Sequence, residues 1–293
     1  MSYVNYYPQR GFLHASVASL MGTRLDALLF GGGSGSVSDL GFGSDLGYSA
    51  GSGFRLDEKA LVSLWNSCEN ELRRIEKMLN RFDSESETSL LNTEASLRTV
   101  EVSDAMWEVM TDCRRYNMLT DSYFDVALGS FKYIVFCEES HGIFFDDSSL
   151  KLDFGGYGKG YALKRLQMML TDAGITRGLV NFGNSSTLAI GAHPYGDCWK
   201  VSVDDPLKSD VVLATFDLCD SSLSVSGNTP SRPLHIINPQ TGQPVSGDTM
   251  VAIEAPDPLD AEVLTTAWVA FRGDEHLPTW FMNFKIKTQR IIK

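Results

Sequence analysis

The sequence predicts an α+β fold, in which antiparallel or mixed sheets pack against helices. Amphipathic segments with a period near 3.6 residues predict helices, and shorter apolar or β-branched stretches predict strands. These elements do not alternate with the regular strand–helix–strand rhythm of a parallel sheet, and no internal repeat is present. This order of elements is typical of the α+β class.

The strongest helix signal covers residues 57–80, where apolar residues from Leu61 to Leu79 recur on one face. Further helices are predicted at 104–119, with Ser103 or Asp104 as the cap, at 159–173, ending at Gly174, and at 261–271. Strands are predicted at 12–21, which we expect to be the first strand, and at 23–30, 179–182, 188–190, 199–203, 211–217, 234–237 and 250–255.

Length and composition indicate one globular domain over residues 1–293, because 43% hydrophobic and 21% charged residues are an ordinary balance for a packed core. Residues 31–53 are rich in glycine and serine. Such a segment buries too little apolar area to offset its ordering entropy, so we expect a flexible insert. No Gly-Lys-Ser/Thr follows it, which argues against a phosphate-binding loop.

The net charge of −12 argues against a nucleic acid partner, because binding to phosphates depends on neutralisation by lysine and arginine. An anionic substrate needs a local cation or a metal to offset this field.

The five cysteines show neither a CxxC spacing nor a Cys/His metal spacing, which favours reduced thiols. No apolar run reaches the length of a membrane span. The mildly apolar residues 12–21 lack the features of a signal peptide. We therefore expect a cytoplasmic protein.

The first motif with chemical content is the run DFGGYGKGYA at residues 153–162. Its glycines allow close approach of the backbone to a ligand, and the helix that begins near Lys159 offers free N–H groups to a phosphate. Lys159 adds a mobile cation. From the residues alone, a tight structural turn and an anion site both remain open.

Two further segments are polar turns. One is NFGNSST at 181–187, which by itself reads as a simple loop. The other joins SVSGN at 224–228 to HIINPQTGQP at 235–244. His235 is either a satisfied core histidine or a side chain held at the edge of a site by the turn that follows it.

The fourth motif is DAEVLTT at 260–266. Glu262 and Thr266 are four residues apart, so they share one helix face and can offer oxygen atoms to a hard cation such as Mg²⁺. The alternative is an ordinary acidic helix start, in which Asp260 and Glu262 interact favourably with the helix dipole.

Taken together and in this order, the motifs resemble the ApbE-type FAD:protein FMN transferase family. The resemblance also includes Met21-Gly-Thr23, the segment 79–92 and the run YFDVALG at 123–129. It spans nearly the whole chain outside the glycine- and serine-rich insert.

The resemblance implies an ApbE-like fold and transfer of FMN from FAD to a serine or threonine of an acceptor flavoprotein, with Mg²⁺ bound and AMP released. It implies His235 as the catalytic base. It assigns the magnesium to the carbonyl of Gly156 and to Glu262, Thr265 and Thr266. The implied FAD-binding residues are Met21, Phe82, Tyr123, Phe124, Asp125, Asp153, Lys159 and Ile237.

Some positions depart from the family pattern. Glu262 stands where an aspartate is usual, Ala127 replaces a threonine, Asn184 replaces a glycine, and Asn238 replaces an aspartate. The stretch 131–152 is short and is expected to lack a helix. Two alternatives stay open. These departures are consistent with an FAD-binding protein with weak or no transferase activity, and water in place of the acceptor hydroxyl would give a Mg²⁺-dependent FAD pyrophosphatase.

Overall fold

A computed structural model describes residues 2–31, 56–208, 210–228, 234–247, 249–271 and 277–292. The predicted flexible insert lies outside these ranges except for Gly31. The helices are α1 (Glu58–Leu79), α2 (Glu87–Glu94), α3 (Asp104–Leu119), α4 (Gly158–Asp172) and α5 (Pro258–Phe271).

The first strands are β1 (Tyr3–Tyr7), β2 (Phe12–Leu20), β3 (Thr23–Phe30), β4 (Val100–Glu101), β5 (Ile134–Cys137), β6 (Gly142–Phe145), β7 (Arg177–Phe182) and β8 (Ser186–Ile190). They are followed by β9 (Trp199–Asp204), β10 (Val212–Leu218), β11 (Ser221–Gly227), β12 (Ile237–Asn238), β13 (Gln243–Pro244), β14 (Met250–Ala255) and β15 (Thr288–Ile292).

The main sheet has eight strands in the order β1-β2-β3-β7-β8-β11-β14-β15. Every neighbouring pair in it is antiparallel. The smaller sheets are β4-β6-β5, β9-β10 and β12-β13. Antiparallel sheets with packed helices confirm the predicted α+β class.

Helix α1 shows how the sequence determines these elements. Asp57 accepts a hydrogen bond from the backbone N–H of Ala60 at 2.8 Å and so caps the first turn. Leu61, Trp65 and Leu72 are fully buried, as the helical spacing predicts. The apolar face of α1 packs with α4 and with strand β2, which places the main core on one side of the large sheet.

The first strand of the sheet and the start of the last helix differ from the prediction. Strand β1 precedes the segment at 12–21, which is therefore the second strand and not the first. Helix α5 begins three residues earlier than predicted, because Asp257 caps the backbone N–H of Leu259 at 2.8 Å and Pro258 fits the first turn.

The predicted strand at 234–237 is wrong, since only Ile237 is in strand β12. Leu234 has a φ of 55°, which an extended strand cannot accommodate. Helix α2 and strand β11 were not predicted. Residues 131–152 contain strands β5 and β6 and short 3₁₀ turns but no α-helix, as expected.

The cysteines are all free thiols. Across the ranges that the structure describes, no helix combines the length and the apolar character needed to cross a membrane.

Candidate active site

Glu262 lies in the first half of helix α5 with only 2% of its surface exposed. Its Oε1 atom accepts a hydrogen bond from the ammonium group of Lys159 in the first turn of α4. Its Oε2 atom accepts hydrogen bonds from Ser186 Oγ at 2.6 Å and from Ser224 Oγ at 2.9 Å. Both carboxylate oxygens therefore have donors, which offsets the cost of burying the charge.

The two candidate threonines lie beside this carboxylate. Thr265 is fully buried, and its hydroxyl accepts from Ser226 Oγ at 2.9 Å while it donates to the Glu262 carbonyl, also at 2.9 Å. Thr266 is half-buried and donates to the same carbonyl at 3.2 Å. A Cβ atom added to Gly156 would lie 3.0 Å from Thr266 Oγ1, so the glycine-rich turn abuts this side of α5.

Glycine at the start of α4 permits this close approach. A Cβ atom on Gly160 would lie 2.5 Å from Glu262 Cβ and 3.0 Å from the carbonyl oxygen of Pro258. Any larger residue would push the two helices apart. The glycine-rich run thus brings Lys159 within reach of Glu262, and the structure joins the first and fourth sequence motifs.

Asp153 lies at the beginning of the same turn and is part of a surface cluster with Arg81 and Phe82. Its Oδ1 atom accepts from the Gly155 N–H at 2.9 Å, and its Oδ2 atom lies 3.3 Å from Arg81 Nη2. The Arg81 guanidinium group is 4.6 Å from the centre of the Phe82 ring, which is 82% exposed. Arg81 therefore links two predicted FAD-binding residues.

Met21 also reaches this region. Its backbone N–H donates to Glu76 Oε1 at 2.6 Å, and its φ of 49° places it in a tight turn between β2 and β3. A Cβ atom on Gly158 would be 3.5 Å from Met21 Sδ, so the methionine contacts the first residue of α4.

Phe124 and Asp125 are buried within their own loop. The Asp125 carboxylate accepts hydrogen bonds from the N–H groups of Ala127, Gly129 and Phe131 at 2.6, 2.9 and 3.3 Å. Burial raises the pKa of Asp125, and these backbone donors oppose that shift. Phe124 packs between the rings of Tyr116 and Tyr157. In this structure Phe124 and Asp125, both predicted to bind FAD, stabilise the conformation of their own loop.

Tyr123 and Ile237 lie at the other end of α5. Tyr123 packs edge-on against Phe271 at 4.9 Å, and Ile237 pairs with Pro244 in the short β12–β13 hairpin. The Asn238 side chain donates to the Ala270 carbonyl at 2.8 Å and so ties the hairpin to α5. Ala270 is about 12 Å along the helix from Glu262, at 1.5 Å per residue.

His235 is exposed and precedes this hairpin by two residues. The hairpin is held in place from a second side, because Gln240 Nε2 donates to the Asp121 carbonyl at 3.0 Å. The exposed imidazole can therefore meet a large incoming partner, whereas a fully buried core histidine could not. The structure does not support the interpretation of His235 as a core residue.

Ser186, Ser224 and Arg81 lie in segments that the sequence analysis singled out, but no role was predicted for them. A signal for Ser224 was present in β11, where Ser222, Ser224 and Ser226 alternate. Alternate residues of a strand point to the same face, so this spacing marks a row of hydroxyl groups. Ser224 and Ser226 contact Glu262 and Thr265, and Ser222 donates to the Thr187 carbonyl at 2.7 Å.

Carboxylate and hydroxyl oxygens are the donor types that suit Mg²⁺, so Glu262, Thr265 and Thr266 fit this metal in their chemistry. In this structure the ammonium group of Lys159 is the positive charge that lies beside the Glu262 carboxylate. Within the described part of the chain there is no group of three or more His, Cys, Asp or Glu residues that could hold a metal. The candidate site thus depends on one carboxylate together with neutral oxygens.

The fold and the site together define an α+β protein with one polar site. In this site the N-terminus of a helix, a lysine and a buried carboxylate lie close together. Such an arrangement suits a phosphorylated ligand and a hard cation. The model of the ApbE family matches residues 48–140 and 130–283. The chain belongs to the ApbE family.

Related proteins agree with this assignment. The FAD:protein FMN transferase of Escherichia coli strain K12 is 24% identical over 252 residues, covering 72% of each chain. That of Rhodobacter capsulatus is 31% identical over 137 residues, covering 44% of this chain and 26% of its own.

Solved structures show the same fold. The ApbE protein of Thermotoga maritima superposes with a TM-score of 0.74 at 18% identity, covering 96% of this chain and 94% of its own. The flavin transferase ApbE of Vibrio cholerae gives a TM-score of 0.69 at 18% identity, covering 92% and 87%. The predicted ApbE-like fold is confirmed.

Proposed function

We propose that this protein transfers FMN from FAD to a serine or threonine hydroxyl of an acceptor flavoprotein, releases AMP and depends on Mg²⁺. The observation that carries the proposal is the contact of Lys159, Glu262, Thr266 and the Gly156 turn at the start of α4. The names of the relatives, FAD:protein FMN transferase, support the choice of FAD and of FMN transfer.

The glycine-rich turn and the first turn of α4 are proposed to bind the pyrophosphate of FAD. The first N–H groups of a helix have no partner within it and favour an anion. Lys159 adds a positive charge to a chain whose net charge is −12. Phe82 offers an exposed aromatic face for a ring of the ligand. The other predicted ligand contacts are Met21, Tyr123, Phe124, Asp125, Asp153 and Ile237.

Magnesium would be held by the carboxylate of Glu262, the hydroxyls of Thr265 and Thr266 and the carbonyl of Gly156. When bound, it would neutralise charge on the pyrophosphate. Ser186 and Ser224 orient the Glu262 carboxylate through their hydrogen bonds to Oε2.

His235 is proposed as the general base. The acceptor hydroxyl gives its proton to the imidazole as its oxygen forms a bond to the phosphorus of the FMN moiety. The bond between that phosphorus and the bridging oxygen breaks, and AMP leaves with the bridging oxygen. The exposed position of His235 allows an acceptor protein to bring its hydroxyl to the imidazole.

The test is incubation with FAD, Mg²⁺ and a candidate acceptor, followed by detection of a flavin-fluorescent acceptor band under denaturing conditions. His235→Ala should reduce labelling by about 10²–10⁴-fold, the usual contribution of a general base, while FAD binding is retained. His14→Ala, which changes a histidine on strand β2, serves as the control and should label normally. Intact labelling by His235→Ala would refute the role of this residue.

One observation favours a second candidate, an FAD-binding protein with little turnover. Both oxygens of Glu262 are already bonded, to Lys159 and to two serines. Bound FAD with neither labelled acceptor nor free AMP would select this candidate. Free AMP and FMN without any acceptor would instead indicate a Mg²⁺-dependent pyrophosphatase.

A further inference from the structure

The pair formed by Lys159 and Glu262 is largely shielded from water. The Glu262 side chain is 3% exposed and that of Lys159 is 20% exposed. A buried carboxylate without a counter-charge is strongly destabilising. Here the ammonium group and the hydroxyls of Ser186 and Ser224 satisfy it completely. The carboxylate therefore needs no metal to be stable in the folded chain.

We propose that Lys159 is an internal cation that competes with magnesium for Glu262, so that the metal binds only when the ammonium group leaves. This inference rests on the proposed function, which makes Glu262 a magnesium ligand. Lys159 occupies Oε1 and the two serine hydroxyls occupy Oε2, so a metal ion that approaches Oε1 meets the positive charge of the ammonium group and is repelled by it. The metal and the lysine are therefore alternative partners of the same oxygen atom, Oε1.

The structure provides for such an exchange. Lys159 is in the first turn of α4, its side chain is partly exposed, and its four-carbon stem is flexible. Glu262 by contrast is fixed, because Ser186 and Ser224 bind its Oε2 atom from strands β8 and β11. Movement of the lysine alone would open Oε1, while the serines keep the carboxylate in position.

The experiment measures binding of Mn²⁺, used as a paramagnetic probe for Mg²⁺, to the full chain without FAD. Electron paramagnetic resonance reports the free Mn²⁺ in each titration. Lys159→Met should bind Mn²⁺ about tenfold or more tightly than the wild type, because the competing cation is gone. Lys164→Met is the matched control, since Lys164 is on the same helix but bonds Asp257 at 2.8 Å, and it should bind as the wild type does.

The double variant with Lys159→Met and Glu262→Gln separates this inference from the proposed function. Loss of the tight Mn²⁺ binding in the double variant locates the metal at Glu262. Tight binding that survives in the double variant would refute Glu262 as the metal ligand, whereas FMN transfer itself is tested separately by the labelling assay. Suppose that Lys159→Met binds Mn²⁺ no more tightly than the wild type, while Glu262→Gln abolishes Mn²⁺ binding. The competition by Lys159 is then overturned, and Glu262 keeps its role as a metal ligand.

Since Lys159→Met leaves Glu262 without its cation and lowers stability, a measurement on the wild type tests the same point. Nuclear magnetic resonance of ¹⁵N-labelled lysine detects ammonium groups that exchange slowly with water. The Lys159 signal is identified by its absence in Lys159→Arg. It should be lost or shifted when Mg²⁺ saturates the protein, and an unchanged signal at saturation overturns the proposal.

Discussion

Individual carboxylates below the surface are stabilised by different kinds of donor. Glu262 has a lysine and two serine hydroxyls, Asp125 has backbone N–H groups, and Asp260 accepts a hydrogen bond from the Tyr116 hydroxyl at 2.6 Å. Glu254 accepts from Ser221 Oγ at 2.7 Å. Each arrangement offsets the cost of removing the charge from water, and a change of one residue alters one carboxylate at a time.

Protonation of the Asp260 carboxylate makes the stability of the folded protein depend on pH. Burial raises its pKa, while the hydrogen bond from Tyr116 opposes the shift. The folded protein therefore binds the proton more tightly than the unfolded chain does. The stabilisation from this tighter proton binding is complete below pH 3.8, the pKa of Asp260 in the unfolded chain. It is lost as the pH rises through the raised pKa of Asp260 in the folded protein.

We therefore expect the wild type to lose stability relative to Asp260→Asn as the pH rises from below 3.8 through the raised pKa of Asp260, measured by urea unfolding. Asp147→Asn provides a contrast. Hydrogen bonds from Ser149 lower the pKa of Asp147, so its contribution is lost as the pH falls. A stability difference for Asp260→Asn that stays constant with pH would contradict the assignment.

At the scale of elements, the contact between α4 and α5 positions the candidate site. The two helices meet at Gly160, where no side chain separates them. The main chain of α5 then lies close enough for Lys159 to reach Glu262. A second contact, from Lys164 of α4 to Asp257 immediately before α5 at 2.8 Å, lies nearer the surface. The helix packing and the site chemistry thus depend on the same glycine.

Gly160→Ala should lower the free energy of unfolding by about 1–3 kcal/mol, the usual cost of an overpacked core. Gly158→Ala is the matched control, because its added Cβ atom would be 3.5 Å from Met21 Sδ and 3.6 Å from Leu79 Cδ1. Those are ordinary contacts, so stability should change by no more than about 1 kcal/mol. Chemical denaturation measures the free energy of unfolding of both variants. Equal losses of stability would show that the close contact at Gly160 has no special cost.

At the scale of the whole molecule, the large sheet is shared by two apolar clusters. Val251 and Ile253 of β14 belong to the main core with the helices. Met250 and Ala252 of the same strand belong to a second cluster with Trp199 and the β9–β10 hairpin. Successive residues of a strand point to opposite faces, so one strand contributes to both clusters. The single domain over residues 1–293 stays a prediction, and unfolding experiments can test it.

We accordingly expect one cooperative unfolding transition. Far-UV circular dichroism follows the whole chain, and the difference in fluorescence between the wild type and Trp199→Phe follows the second cluster. The two midpoints in urea should coincide, because neither cluster can lose the shared sheet separately. An earlier midpoint for the Trp199 signal would show that the β9–β10 side unfolds on its own.

The fold could be predicted well where one element carries its own pattern. Helix α1 was predicted almost to the residue, since Leu61, Trp65 and Leu72 recur at helical spacing and Asp57 caps it. Strand β11 was missed because its serines resemble a loop, and only their bonds to α5 and β8 make it a buried strand. The strand predicted at 234–237 was wrong because Leu234 adopts a positive φ, which a leucine in a sequence does not indicate.

The sequence by itself determined the α+β class, the glycine-rich start of α4 and the shared helix face of Glu262 and Thr266, since these follow from local spacing and residue type. Only the tertiary structure decided that Lys159, Ser186 and Ser224 converge on Glu262. Those partners come from α4, β8 and β11, far apart along the chain. Their meeting depends on how α5 packs against the sheet, and no local pattern encodes that packing.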